Sequence, residues 1–128
     1  MCIRDSVKAQ NQVLVAGSYA AVAEAVALGQ QLDLPMPQVI DALKTGAAGS
    51  WALEHRSTAM LNGSYPLGFR LSLHRKDLGI ALDAAKAVQL ELPVTTLVEQ
   101  LELNLIKNGH GDEDVSALHR WSQMRQES

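Results

Sequence analysis

The sequence predicts an all-α fold, a single domain of about six helices built around a long N-terminal helix. Three observations carry this. Apolar residues recur at three-and-four spacing along most of the 128-residue chain. Prolines and glycines interrupt that pattern at positions where helices start and stop. No stretch shows the sustained period-two alternation, bounded by turn signals, that a half-buried strand requires. A chain of this length buries roughly two-thirds of its unfolded surface, enough for one core.

The first helix is expected from Ser6 to about Leu32, where Val13, Val15, Ala20, Ala23, Val26 and Ala27 fall largely on one face with no proline between them. Its run AGSYAAVAEAVALG is rich in small residues, which lets neighbouring backbones approach a central helix closely. Pro35 and Pro37 end it, because they withhold donors and push the residues before them out of the helical region. PQVIDALKTG then reads as a short second helix, with Val39, Ile40 and Leu43 inward and Gly46 as the stop. GAAGS is a small-residue loop whose Ser50 caps a third helix running from Trp51 to near the NGS turn. Beyond the turn Tyr65-Pro66-Leu67-Gly68, residues Phe69 to about Leu90 form a fourth helix. Its apolar face holds Leu71, Leu78, Leu82 and Ala85, with the charges elsewhere. Pro93 opens the fifth in the first-turn position that proline tolerates, and Gly109 closes it. Asp114 caps a sixth over VSALHRWSQMR, and a tail at 125–128 is expected to fray.

Composition narrows the function classes. With 47% hydrophobic and 20% charged residues the chain is an ordinary globular one, not a disordered one. The net charge is −3 and the basic residues are scattered, so no stripe tracks a phosphate backbone and nucleic acid is not an expected partner. The single cysteine, Cys2, allows neither an internal disulfide nor a cysteine metal cage, as suits a reducing compartment. His55, His74, His110 and His119, with Asp112, Glu113 and Asp114, match no compact ligand spacing, and no metal site is expected. The apolar VLVAGSYAAVAEAVAL lies behind Arg4 and Lys8 as a secretion signal would. Gly17, Ser18 and Glu24 interrupt it, and it falls short of the roughly 20 apolar residues of a membrane span.

Two polar groupings stand out. Lys8, Asn11 and Gln12 lie three and four residues apart, so their side chains share one helix face. An ammonium and an amide held there can meet one carbonyl or alcohol oxygen together. The positive end of a helix and partial burial both disfavour a charged lysine, as acid–base work near neutral pH requires. On the residues alone a solvated first turn is the more ordinary reading of the same spacing. Lys76 and Asp77 are adjacent on the fourth helix, do not face each other, and need separate partners unless they are simply outer-face charges. Phe69 stands two turns before Asp77 on a similar face. Trp51 and Trp121 read as core aromatics, although Trp51 follows a loop that a ligand can approach. There is no glycine-rich dinucleotide turn, phosphate loop or nucleophile elbow.

K-x-x-N-Q at 8–12, AVAEAVAL, GAAGSW, F-x-x-x-L-x-x-K-D-L-G-I-A-L at 69–82, LP near 92 and G-x-G-x-x-D-x-S-A-L at 109–118 occur together and in order. In this combination the chain resembles the C-terminal domain of the β-hydroxyacid dehydrogenase family, which includes 3-hydroxyisobutyrate dehydrogenase and tartronate semialdehyde reductase (2-hydroxy-3-oxopropionate reductase). The LHRKDL variant points to the latter branch. The resemblance implies a fold like the C-terminal domain of 6-phosphogluconate dehydrogenase. It also implies NAD or NADP as cofactor, a small hydroxyacid or semialdehyde as substrate, a homodimer or larger homo-oligomer, and a cytoplasmic location. By resemblance Lys8 is the catalytic lysine, Asn11 or Gln12 its amide partner, Lys76 a cofactor contact, and Trp51, Phe69 and Asp77 line the substrate pocket. The family's N-terminal Rossmann domain, which binds most of the cofactor, is not in this sequence, so the fragment by itself is expected to be inactive. The opening MCIRDS resembles the in-frame translation of a transposon adapter used in sequencing libraries, which assigns residues 1–6 to an adapter and 7–124 to the helical domain. The alternative is a free-standing helical module that dimerises or binds a partner without catalysis.

Overall fold

Proline and glycine set several of the helix ends, while Asp33 and Gln89 take positive φ after the first and fourth helices. The computed structural model describes residues 1–126. In chain order it has α1 (Ile3–Gln31), α2 (Met36–Leu43), α3 (Trp51–Asn62), α4 (Leu71–Ala87) and α5 (Pro93–Lys107), then a 3-10 helix (Val115–His119) and α6 (Arg120–Gln126). Among the described residues there is no strand, only an isolated bridge between Arg70 and Asp114. The Ser50 hydroxyl accepts from the Leu53 N–H as the expected cap. Gly63 closes α3 and Gly109 follows α5, both with positive φ, the conformation that glycine adopts without strain.

Four expectations are corrected. Helix α1 starts at Ile3, not Ser6, because nothing in IRDS breaks a helix and Asp5 complements the positive end of the first turn. The hexapeptide MCIRDS is therefore helical from its third residue. In α2 the buried residue is Met36, Val39 and Ile40 are half-buried, and Leu43 is exposed. At eight residues α2 packs on α1 and α3 over a short span, with Ile40 against the core and Leu43 outside it. In α4 Leu82 is only half-buried, and the inward face is not wholly apolar, since His74 is buried between Leu71 and Leu78. The expected sixth helix divides in two: Asp114 caps a 3-10 segment in which every residue is buried, and α6 follows. The Ala117 N–H bonds the Asp114 carbonyl at 2.8 Å, the tighter i→i+3 closure. Of the expected tail, residues 127–128 lie outside the described residues, while α6 runs to Gln126.

Helix α1 is the axis of the fold and packs against α3, α4, α5 and the 3-10 segment. Its buried positions are Gln12, Ala16, Tyr19, Val22, Ala23, Val26 and Gly29. Small residues in that series allow close approach, and at Gly29 an added Cβ would run into the Met36 side chain. Taken whole, α1 is long and apolar enough to cross a membrane by length and composition, contrary to the estimate from its uninterrupted run. Here the face that runs from Gln12 to Gly29 packs on the other helices, while Ile3, Val7, Leu14 and Leu28 stay exposed.

Candidate active site

The α1–α4 junction assembles the first part of the site. Lys8, Asn11 and Gln12 share a side of α1, with Lys8 and Asn11 exposed and Gln12 only 5% exposed. The Gln12 Nε2 donates to Asp77 Oδ2 across the helix pair at 2.8 Å, and Asn11 Nδ2 donates to Gln12 Oε1 at 3.4 Å. Lys76 stands about 100° round α4 from Asp77 and is exposed. The partial burial expected of Lys8 is absent, because α1 starts at Ile3 and places Lys8 in the second turn with no element over it. There the helix dipole is also weaker than in the first turn.

Beneath Gln12 lies a buried polar pair. His74 Nδ1 is 2.5 Å from Glu102 Oε2, and His74 Nε2 is 3.1 Å from the Gln12 backbone oxygen. Burial pushes the Glu102 carboxyl above the usual carboxylate range, and the His74 contact works in the opposite direction.

The second part is an open cleft of about 580 Å³, whose walls include Asn11, Tyr19, Trp51, Arg56 and Phe69. The Phe69 N–H donates to Asp114 Oδ1 at 2.7 Å, the Ser116 N–H donates to Oδ2 at 3.0 Å, and Arg56 Nε lies 3.2 Å from that same Oδ2. One buried carboxylate thus holds the aromatic wall, the arginine and the 3-10 segment together. The Arg56 guanidinium lies over the Trp51 ring at 4.6 Å. Trp51 is 55% exposed and stacks on His55, so it is not the core aromatic its type suggested. Trp121 is half-buried in α6. Burial pushes the Tyr19 phenol up, while Arg56 pulls it down.

The family model described as NAD-binding of NADP-dependent 3-hydroxyisobutyrate dehydrogenase matches residues 5–122. The chain belongs to this family. The 2-hydroxy-3-oxopropionate reductase of Escherichia coli (strain K12) is 37% identical over 111 residues, covering 87% of this chain and 38% of that protein. An L-threonate dehydrogenase of Cupriavidus necator is 35% identical over 112 residues, covering 88% of this chain and 38% of that protein. Among solved structures, 3-hydroxyisobutyrate dehydrogenase from Salmonella typhimurium matches with a TM-score of 0.84 and 31% identity, over 91% of this chain and 41% of that one. The Mycobacterium tuberculosis 3-hydroxyisobutyrate dehydrogenase with L-serine gives 0.81 and 26%, over 91% and 42%. The chain spans about two-fifths of the length of these relatives.

In this member of the 3-hydroxyisobutyrate dehydrogenase family, the residues singled out from sequence fall into three groups. Asn11, Trp51 and Phe69 meet in the cleft. Gln12 and Asp77 meet each other. Lys8 and Lys76 are exposed and line no part of that cleft. Sequence reasoning passed over Tyr19 and Arg56, weighed His74 only as a metal ligand, and passed over Glu102. For the last two a signal was present: His74 falls between Leu71 and Leu78, and Glu102 between Val98 and Leu105, at the three-and-four spacing of buried positions. Tyr19 carries the same mark, between Ala16 and Ala23, whereas Arg56 carries none, since its role depends on where the Phe69 loop folds back.

Proposed function

We propose that this chain is the C-terminal helical domain of an NAD(P)-dependent β-hydroxyacid dehydrogenase of the 3-hydroxyisobutyrate or 2-hydroxy-3-oxopropionate type. The observation that carries the reading is the family match over residues 5–122, which takes in the exposed Lys8 one turn from an amide tied to Asp77. Lys8 exchanges the proton of the substrate oxygen, and its position on an open helix face leaves its ammonium free to reach that oxygen. Asn11, whose neighbour Gln12 has its amide committed to Asp77, presents the second polar contact at the cleft. Trp51 and Phe69 wall the cleft against water, and Asp77 orients Gln12.

Bound NAD(P) supplies the hydride chemistry. Among the exposed ammonium groups Lys76 is the one assigned to it, and the described residues contain no strand-turn-helix phosphate cradle, so they fit an edge contact with the dinucleotide. A separate Rossmann domain is the proposed holder of the rest, and the 128-residue chain alone is then inactive. The enzyme acts in the cytoplasm on a small hydroxyacid or semialdehyde.

A homo-oligomer is part of the same proposal. An apolar groove of about 790 Å³ runs between α1 and the end of α4, with Ala9, Val13, Leu14, Ala81, Val88 and Leu92 on its walls. That groove is also what favours the second reading, a free-standing association module.

The deciding experiment is Lys8→Ala in the full-length enzyme that contains this chain. Turnover is expected to fall by about 10²-fold or more with cofactor affinity unchanged; near-normal kcat rejects the assignment.

A further inference from the structure

The His74–Glu102 pair takes no part in the proposed chemistry, yet it lies directly under it. Both side chains are fully buried. His74 Nε2 faces the Gln12 backbone oxygen, and a carbonyl only accepts, so Nε2 carries a hydrogen. Nδ1 and Glu102 Oε2 stand 2.5 Å apart, a separation at which two lone pairs would repel, so a second proton lies between them. It belongs either to an imidazolium facing a carboxylate or to a carboxyl facing a neutral imidazole. The pair is neutral overall in both cases, and the ring is held in the same orientation.

The surroundings favour the carboxyl form. Glu102 Oε1 is buried with no hydrogen-bond partner, which costs less for an acid carbonyl than for an ionised oxygen. The nearest other charges are Arg75 and Glu99, which pair with each other at 2.7 Å and supply Glu102 with no hydrogen bond.

We infer that His74 and Glu102 form a positioning pair: the proton they share locks the imidazole so that Nε2–H holds the Gln12 carbonyl and fixes the turn of α1 that carries Lys8. Helix α4 thereby grips Gln12 twice, by its backbone through His74 and by its side chain through Asp77, from two residues three apart on one face. A mid-helix carbonyl has a second lone pair beyond its ordinary i→i+4 bond, so the grip costs α1 nothing. The positioning role rests on the reading that Lys8 and its neighbours form the reacting face; the grip itself does not.

The test has a structural arm and a kinetic arm. In NMR of the isotopically labelled 128-residue chain, the shared proton is expected as a strongly deshielded signal. His74→Leu is expected to remove it and to displace the Gln12 side-chain amide resonances. Glu102→Gln loses the shared proton but keeps the Gln12 resonances in place, because an amide N–H can donate to Nδ1. If His74→Leu does not fold, Glu102→Leu is the second probe, expected to displace the same resonances. In the full-length enzyme His74→Leu is expected to lower kcat by about 10²-fold with KM little changed, whereas Glu102→Gln, which keeps His74, is expected to retain most of the unmodified rate. Absence of the deshielded signal in the unmodified chain, or Gln12 resonances indifferent to His74→Leu and Glu102→Leu, overturns the grip. Displaced resonances with normal kcat overturn the positioning role if Lys8→Ala is severely impaired. If Lys8→Ala is also normal, it is the catalytic reading that fails.

Discussion

The two halves of α1 behave as different objects. From Ala16 onward the helix buries Ala16, Tyr19, Val22, Ala23, Val26 and Gly29, and Gln30 bonds His119 Nε2 at 2.9 Å. From Ile3 to Val15 only Gln12 is buried, while Ile3, Val7 and Leu14 lie in solvent. The second half is held by packing over its whole length; the first has one buried residue, Gln12, bonded through both its backbone and its side chain, with Val15 against the core. Residues proposed for chemistry crowd into the first half, where side chains are free to meet something other than this chain. A helix can thus anchor a fold with one end and offer a working surface with the other.

Breaking the packed half should have the largest effect. Val26 is 1% exposed, and Val26→Asp would bury an unpaired charge, costing about 3–5 kcal/mol and leaving little folded chain in urea titration. A cost under about 1 kcal/mol, as for an ordinary surface site, would show that this half is looser than its burial implies.

The joint between the packed half and the 3-10 segment makes a smaller, pH-dependent contribution. His119 sits between the Tyr65 hydroxyl and the Gln30 amide, and burial pushes its imidazole below the usual histidine range. The folded chain therefore refuses a proton that the unfolded chain accepts below about pH 6.5. This contribution is present above that pH and is lost as pH falls. Thermal midpoints of the chain and of His119→Gln are expected to converge on acidification from pH 7 to pH 5. Divergence would place the imidazole in a charged state.

The smallest effect on stability is expected in the exposed half. Leu14 is 72% exposed, so Leu14→Asp should shift unfolding by no more than about 0.5 kcal/mol. Because Leu14 lines the apolar groove, the same change should weaken self-association measured by analytical ultracentrifugation. An unchanged association state would remove the groove from the oligomer proposal.

The contrast also explains what the sequence made legible. Ser50, Asp114, Gly63, Pro93 and Gly109 act through local backbone chemistry, so a helix start or stop is readable without knowing the neighbours. Burial is not local. Gln12 continues the three-and-four series Ala16, Tyr19, Ala23, Val26 backwards by one step, but its polarity hid it from an apolar-face reading. Leu14 and Leu43 are apolar and exposed, because whether a neighbour covers them is decided by distant segments. At the candidate site, the spacing of Lys8, Asn11 and Gln12 placed them on one side of α1. The meeting of Asn11 with Trp51 and Phe69 depended on a loop closure that no local pattern records.

Asp114 carries that closure. With its carboxylate bonded to the backbone N–H groups of Phe69 and Ser116 and lying beside Arg56, it works as a keystone set between segments far apart in the chain. Shortening the domain from its C-terminal side is therefore no neutral trim. A piece ending before Asp114 would keep the five long and short helices α1–α5 yet release the wall and the cation of the cleft at once, so the span needed to hold the cleft is set by a residue that lines none of it.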